Sequence, residues 1–160
     1  MVVKMLKQAL ALLLTTKRIP QLYYGTEVLM NGTKEVADGD VRKDFLGGFP
    51  GDSRNTFTKE GRSVEENEMF DWLSRLLHWR QSNEVISKGT MIQFLPHDGV
   101  YVFARQKDGK TVLTILNGTS KKVSLDMNRY AEVINDAASA VDVTTGKNIS
   151  LKGNLILEPR

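Results

Sequence analysis

Cysteine is absent from the 160 residues, which removes disulfides and thiolate chemistry while leaving the compartment open. Histidine is nearly absent. His78 and His97 lie far apart in the chain, so no His-based metal site is expected, and no cofactor either. Neither sign of charge dominates: 22 Lys and Arg stand against 19 Asp and Glu, and the net +3 is spread without long blocks, which offers no nucleic-acid groove. No apolar run approaches the ~18 residues that a membrane span needs. Met1 to Thr16, with Lys4 and Lys7 ahead of Ala9-Leu10-Ala11-Leu12-Leu13-Leu14, has the outline of a secretory signal. The run is short and lacks an Ala-x-Ala site, so it reads as a buried helix. Aromatic residues thin out after residue 90, where Phe94, Tyr101, Phe103 and Tyr130 are too few for a ring-stacking platform.

What is present changes character near residue 89. Before it, Val2 to Thr16 forms an apolar helix, and Gln21-Leu22-Tyr23-Tyr24, bounded by Pro20 and Gly25, reads as a fully covered parallel strand. A lone parallel strand cannot satisfy its backbone on either side, so its partners are expected elsewhere and the chain reads as a piece of a larger protein. A Gly-rich stretch of some 35 residues follows Glu27, too long for a plain connector. Ser63-Val64-Glu65-Glu66 is a capping box that starts a helix at Val64. Met69, Phe70, Trp72, Leu73, Leu76, Leu77 and Trp79 carry it at helical spacing to about Ser82.

From about Gly89 the period drops to two. Met91–Leu95, Val100–Arg105, Thr111–Asn117, Lys122–Leu125, Val141–Val143, Ile149–Leu151 and Leu155–Leu157 are strand candidates, and Met127–Ile134 is a short helical turn. Asp98-Gly99 and Asp108-Gly109 are hairpin signals, because both turn positions need positive φ. The tail therefore reads as an antiparallel sandwich.

Ile19-Pro20-Gln21-Leu22-Tyr23-Tyr24-Gly25-Thr26-Glu27 resembles the eighth-strand segment of the α-amylase family, glycoside hydrolase family 13. The similarity continues through Arg42-Lys43-Asp44-Phe45-Leu46-Gly47-Gly48-Phe49-Pro50-Gly51-Asp52 and Glu65-Glu66-Asn67-Glu68-Met69-Phe70, most like the neopullulanase and cyclomaltodextrinase branch, with Arg18 and Leu46 where Gly and Pro are usual. The resemblance implies an α+β fragment. Residues 1–88 would be the last helix-strand-helix part of a (β/α)8 barrel, and 89–160 an all-β sandwich like the α-amylase C-terminal domain. It implies an α-glucan, pullulan or cyclodextrin substrate in a bacterial parent enzyme, periplasmic or cytoplasmic. The nucleophile and acid of such enzymes sit on earlier barrel strands, so no catalytic residue is expected in this chain. The loop beyond the eighth strand would line the sugar cleft, with Glu27, Arg42 and Asp44 hydrogen-bonding hydroxyls and Phe45 or Phe49 offering a ring face; alternatively the two Phe side chains anchor the loop.

Other readings stay open. The chain is either a glycosidase portion inactive alone or a non-catalytic glucan-binding or structural accessory module, and the helices alternatively only cover one sheet of an independent sandwich. Asp38-Gly39-Asp40 with Asp44 lacks the later bidentate Glu of a calcium loop and reads as a solvated acidic turn, so no metal is expected. Asn31-Gly32-Thr33, Asn117-Gly118-Thr119 and Asn148-Ile149-Ser150 match a glycosylation pattern but read first as turns. The apolar residues 2–24 are expected to promote self-association.

Overall fold

The computed structural model describes residues 2–160. They separate into two compact units, Met1–Pro20 with Leu76–Arg160, and Gln21–Arg75.

In the first unit, helix α1 (Val2–Thr15) packs on a three-stranded antiparallel sheet. Leu10 and Leu14 are buried, and Gln8 Nε2 donates to the Asn117 carbonyl at 2.9 Å. Helix α2 (Val64–Gln81) starts where its capping box predicts, and its last turn belongs to this unit. A five-residue helix α3 (Glu84–Lys88) follows, which sequence periodicity is too short to reveal. Its cap is local: the Asn83 side chain accepts from Val85 N at 3.0 Å.

All seven strand candidates form strands. The sheet order is β1 (Thr90–Gln93), β2 (Val100–Lys107) and β3 (Lys110–Asn117), with β2 and β3 in register from Val100 opposite Asn117 to Lys107 opposite Lys110. Asp108 and Gly109 turn that hairpin with φ of 50° and 73°, both positive as a two-residue turn between twisted strands requires. Strand β4 (Val123–Asp126) pairs with β7 (Asn154–Leu157), and β5 (Ser139–Val141) pairs with β6 (Asn148–Ser150). Between β4 and β5 lies the expected helical turn, a 3-10 segment Met127–Tyr130 running into α4 (Ala131–Ile134).

Strand alternation then builds two faces. Val100, Val102 and Ala104 point to one side of β2 and pack with Leu125, Met127, Tyr130 and Val133; the Phe94 ring meets Tyr130 edge-on at 4.8 Å. Phe103 and Arg105 point to the other side, and both are fully buried.

Arg105 is a buried cation with no carboxylate partner among the described residues. Its guanidinium donates to the carbonyls of Gly89 at 2.7 Å, Thr90 at 3.2 Å and Thr15 at 3.4 Å. Arg80 donates to the carbonyls of Leu14 and, at 3.3 Å, Arg18. The last carbonyls of a helix have no partner inside it and carry partial negative charge, so two cations there satisfy both needs. Burial pulls both arginines below their ordinary value, and the Arg80 charge pushes Arg105 the same way. An arginine stays charged regardless, so the effect is a cost of burial offset by the converging carbonyls.

One expected element does not form within this chain. Gln21–Tyr24 forms no strand: no ladder reaches it, Tyr23 is 56% exposed and Tyr24 44%. A parallel strand exists only beside a neighbour, and among the described residues none runs alongside.

Arg105→Ala is expected to lower unfolding free energy by about 2 to 4 kcal/mol, since two buried carbonyls and a partly buried one lose their donor. Arg105→Lys should recover only part, a point charge reaching fewer of the three. Urea denaturation measures both; a loss below about 0.5 kcal/mol for Arg105→Ala would reduce the arginine to packing.

Candidate functional site

The sugar-contacting candidates all fall in the second unit, Gln21–Arg75, which is mostly loop. Its anchor is the first turn of α2. Ser63 Oγ accepts from Glu66 N at 3.1 Å while the Glu66 carboxylate accepts from Ser63 N at 2.7 Å. The same carboxylate takes a two-pronged pair from Arg54 at 2.6 and 2.7 Å. Arg62 lies over the Phe70 ring at 3.9 Å and donates to Asn67 Oδ1 at 2.8 Å. Gly61 is needed here, because a Cβ would sit 1.7 Å from the Asn55 carbonyl oxygen.

From this anchor the loop 46–56 closes on itself. Thr56 donates from N and from Oγ1 to the Leu46 carbonyl, each at 2.7 Å. Asp52 accepts from Gly47 N at 2.9 Å and Phe49 N at 3.0 Å, so its carboxylate is spent on shaping the turn. Phe45 packs on Phe57 with ring centroids 4.7 Å apart and is half-buried. Phe49 stands 63% exposed beside the same cluster.

A second clasp holds the segment before it. Asp40 accepts from Thr33 N at 2.6 Å and pairs with Lys43 at 3.1 Å across the 3-10 turn Asp40–Arg42. The Thr33 N–H first, and then Lys43, hold the Asp40 carboxyl below its ordinary range. Tyr24 Oη donates to the Lys43 carbonyl at 2.7 Å, which seats the phenol between Arg42 and Asp44 in sequence. Tyr24 titrates above its ordinary value, chiefly through its hydrogen bond to Tyr23; the Asp44 charge adds and the Arg42 charge opposes. The Tyr23 and Tyr24 rings lie 4.5 Å apart.

The structure thus brings Arg42 and Asp44 together around Tyr24, and sets Phe49 and Phe57 against Gly47 with Phe45 packed on Phe57. Glu27 stands apart from both, half-buried in a 3-10 turn, Thr26–Val28, and not at a strand end. The side chains of Glu27, Arg42 and Asp44 make no hydrogen bond or ion pair among the described residues. Tyr23 and Tyr24 join this group with no local signal for it, because their apolar, aromatic run reads as a covered strand. No cluster of three or more potential metal ligands, and no helix long and apolar enough to cross a membrane, occurs among the described residues.

Residues 91–160 match the family model for the cyclo-malto-dextrinase C-terminal domain. A cyclomaltodextrin glucanotransferase of Bacillus licheniformis is 30% identical over 91% of this chain and 19% of its own length. A cyclomaltodextrinase of Thermoanaerobacter pseudethanolicus is 26% identical over 96% of this chain and 23% of its own. The chain is similar to the carboxyl-terminal part of α-amylase-family enzymes. It spans about a fifth of the length of these relatives. Among solved structures, an Anoxybacillus α-amylase superposes with a TM-score of 0.70 at 24% identity, over 99% of this chain and 30% of that one. The acarbose complex of the Geobacillus thermoleovorans α-amylase gives 0.71 at 22%, over 98% and 31%. These likenesses bear on the fold, and in it the family's C-terminal domain is the part with antiparallel sheets.

The Arg54 pair first, and Ser63 after it, hold the Glu66 carboxyl below its ordinary value. A depressed folded pKa means stability that is full above the unfolded glutamate pKa of about 4.3 and is lost as pH falls through the folded value. Acid titration of unfolding should show that loss below about pH 4.3. Glu66→Gln should flatten it and cost about 1 kcal/mol at neutral pH. An unchanged acid limb in Glu66→Gln would show that other carboxylates set it.

Proposed function

We propose that this chain is the carboxyl-terminal portion of an α-glucan-hydrolysing glycosidase acting on α-1,4-glucan, pullulan or cyclodextrin, and that alone it turns nothing over. In this reading Gln21–Arg75 supplies part of the rim of the sugar cleft, and the reacting carboxylates belong to other parts of the enzyme. Ile19–Tyr24 completes the barrel sheet there, which accounts for an apolar run whose Ile19, Tyr23 and Tyr24 stand exposed here. The observation that carries the reading is the state of Arg42 and Asp44: folding uses neither side chain, yet Tyr24 holds the Lys43 carbonyl between them and Asp40 pairs with the Lys43 side chain. Groups held in place but left without partners are available to a ligand's hydroxyls. Exposed Phe49 offers a ring face nearby in sequence, and Glu27 is kept as a further contact.

The solved complexes of AmyP with maltose and of the Geobacillus thermoleovorans α-amylase with acarbose support a sugar ligand in that assembled enzyme. A non-catalytic accessory role is the second reading, favoured by the separate core that the β2 face builds with β4, the 3-10 turn and α4. Within either, the half-covered apolar residues of 2–24, with Ile19 97% exposed, are proposed to pair copies of the isolated chain.

The purified chain is expected to release no reducing sugar from starch, pullulan or cyclodextrin; turnover that survives Glu27→Gln would overturn the reading. In the full-length enzyme, Arg42→Ala or Asp44→Ala should cost about 1 to 3 kcal/mol in kcat/KM with little change in Tm. Unchanged kinetics in both would assign the loop to structure.

A further inference from the structure

The chain contains two Asn-Gly pairs, Asn31-Gly32 and Asn117-Gly118, and the structure treats them in opposite ways. Asn117 is buried. Its Nδ2 donates to the carbonyls of Lys121 at 2.8 Å and Glu158 at 3.0 Å, and its Oδ1 accepts from Thr119 N at 2.9 Å and Thr119 Oγ1 at 2.8 Å. The next backbone nitrogen is equally committed, Gly118 N donating to the Gly99 carbonyl at 2.8 Å. Asn31 is exposed in a loop, its amide has no hydrogen bond among the described residues, and Gly32 N donates to nothing.

We propose that Asn31 is a site of spontaneous, self-catalysed deamidation, and that Asn117 is protected from it. The Gly32 backbone nitrogen, after losing its proton to water, attacks the Asn31 side-chain amide carbon. The new C–N bond closes a five-membered imide, and the side-chain nitrogen leaves as ammonia. Water then adds to one of the two imide carbonyls and opens the ring. Opening at one gives aspartate, and opening at the other gives isoaspartate, with the main chain routed through the former side chain. No redox partner and no enzyme is needed. The reaction requires a nitrogen free to attack, an amide free to turn and a following residue without a Cβ to block the approach, and Asn31-Gly32 has all three. At Asn117-Gly118 hydrogen bonds hold both reacting groups.

Location gives the modification a consequence. Thr33 N, two residues on, is the donor that the Asp40 carboxylate holds at 2.6 Å, and Gly32 lies against the Asp40 backbone, where an added Cβ would come 2.1 Å from its carbonyl oxygen. Isoaspartate lengthens the backbone by one methylene next to this clasp, and either product places a new carboxylate beside Asp40. The Asp40–Lys43 turn that carries Arg42 is therefore the part that loosens. The formal net charge falls by one from +3.

The full chain, incubated in mildly alkaline buffer at elevated but non-denaturing temperature and mapped by peptide mass spectrometry, is expected to show the amide-to-acid mass gain in the peptide holding Asn31. The peptide holding Asn117 should stay at least tenfold less converted. Unfolding in urea before incubation should bring the two rates together, because the protection is structural. In the aged protein, an NMR titration should place the Asp40 carboxyl nearer its ordinary value than in fresh protein, and Asn31→Gln should abolish that drift with time. Equal conversion at both sites in the folded chain, or none at Asn31, would overturn the proposal.

Discussion

A single buried cation ties the first unit together. Arg105 sits on the face of β2 opposite the apolar cluster, and its three hydrogen-bond acceptors come from separate places: the end of α1, the residue after α3 and the first residue of β1. A charge without a counter-ion is costly to bury unless carbonyl dipoles converge on it, so helix, junction and sheet must be placed together. Gly89 lets the junction come close enough, since a Cβ there would lie 2.3 Å from the Val85 carbonyl oxygen and 2.7 Å from that of Gln106. Arg80 then serves the same helix end from the last turn of α2. The placement of α1 thus depends on polar termini as much as on Leu10 and Leu14.

The second unit solves a different problem, shaping a Gly-rich chain around few buried apolar side chains, Val28, Met69 and Leu73 among them. Asp40, Asp52 and Glu66 each accept from backbone N–H groups, and the Tyr24 hydroxyl donates to a backbone carbonyl. Side chains here do the work that a ladder does elsewhere. The polar groups divide accordingly into those consumed by loop shape and those left over, and Arg42, Asp44 and Glu27 are left over. The shape of the loop is thus carried by residues other than those left over.

Legibility in the sequence followed the range of the interaction. The capping box at Ser63 and Glu66 was readable because its partners are three residues apart. The seven strands were readable because alternation and Asp-Gly turns are local, with boundaries moving by one or two residues, or by a shift of the β5 and β6 windows toward the amino end. The α-amylase likeness was readable as contiguous motifs. Helix α3 was too short to show a period. Arg105 was visible as a residue of β2, but nothing local announces that three carbonyls from distant segments meet there.

The candidate site divides the same way. Arg42 and Asp44 could be named from their motif, whereas their company could not, since the Tyr24 hydroxyl crosses 19 residues to the Lys43 carbonyl. Gln21–Tyr24 marks the limit most plainly. Composition makes the run suited to a covered strand, yet a strand is a relation between two segments and composition describes only one. The sequence alone determined local periods, caps and turns, for their energies are settled among residues a few positions apart. Tertiary structure alone decided which extended run is paired, which charge is buried and which polar side chains remain unspent, because each depends on what lies across space from it.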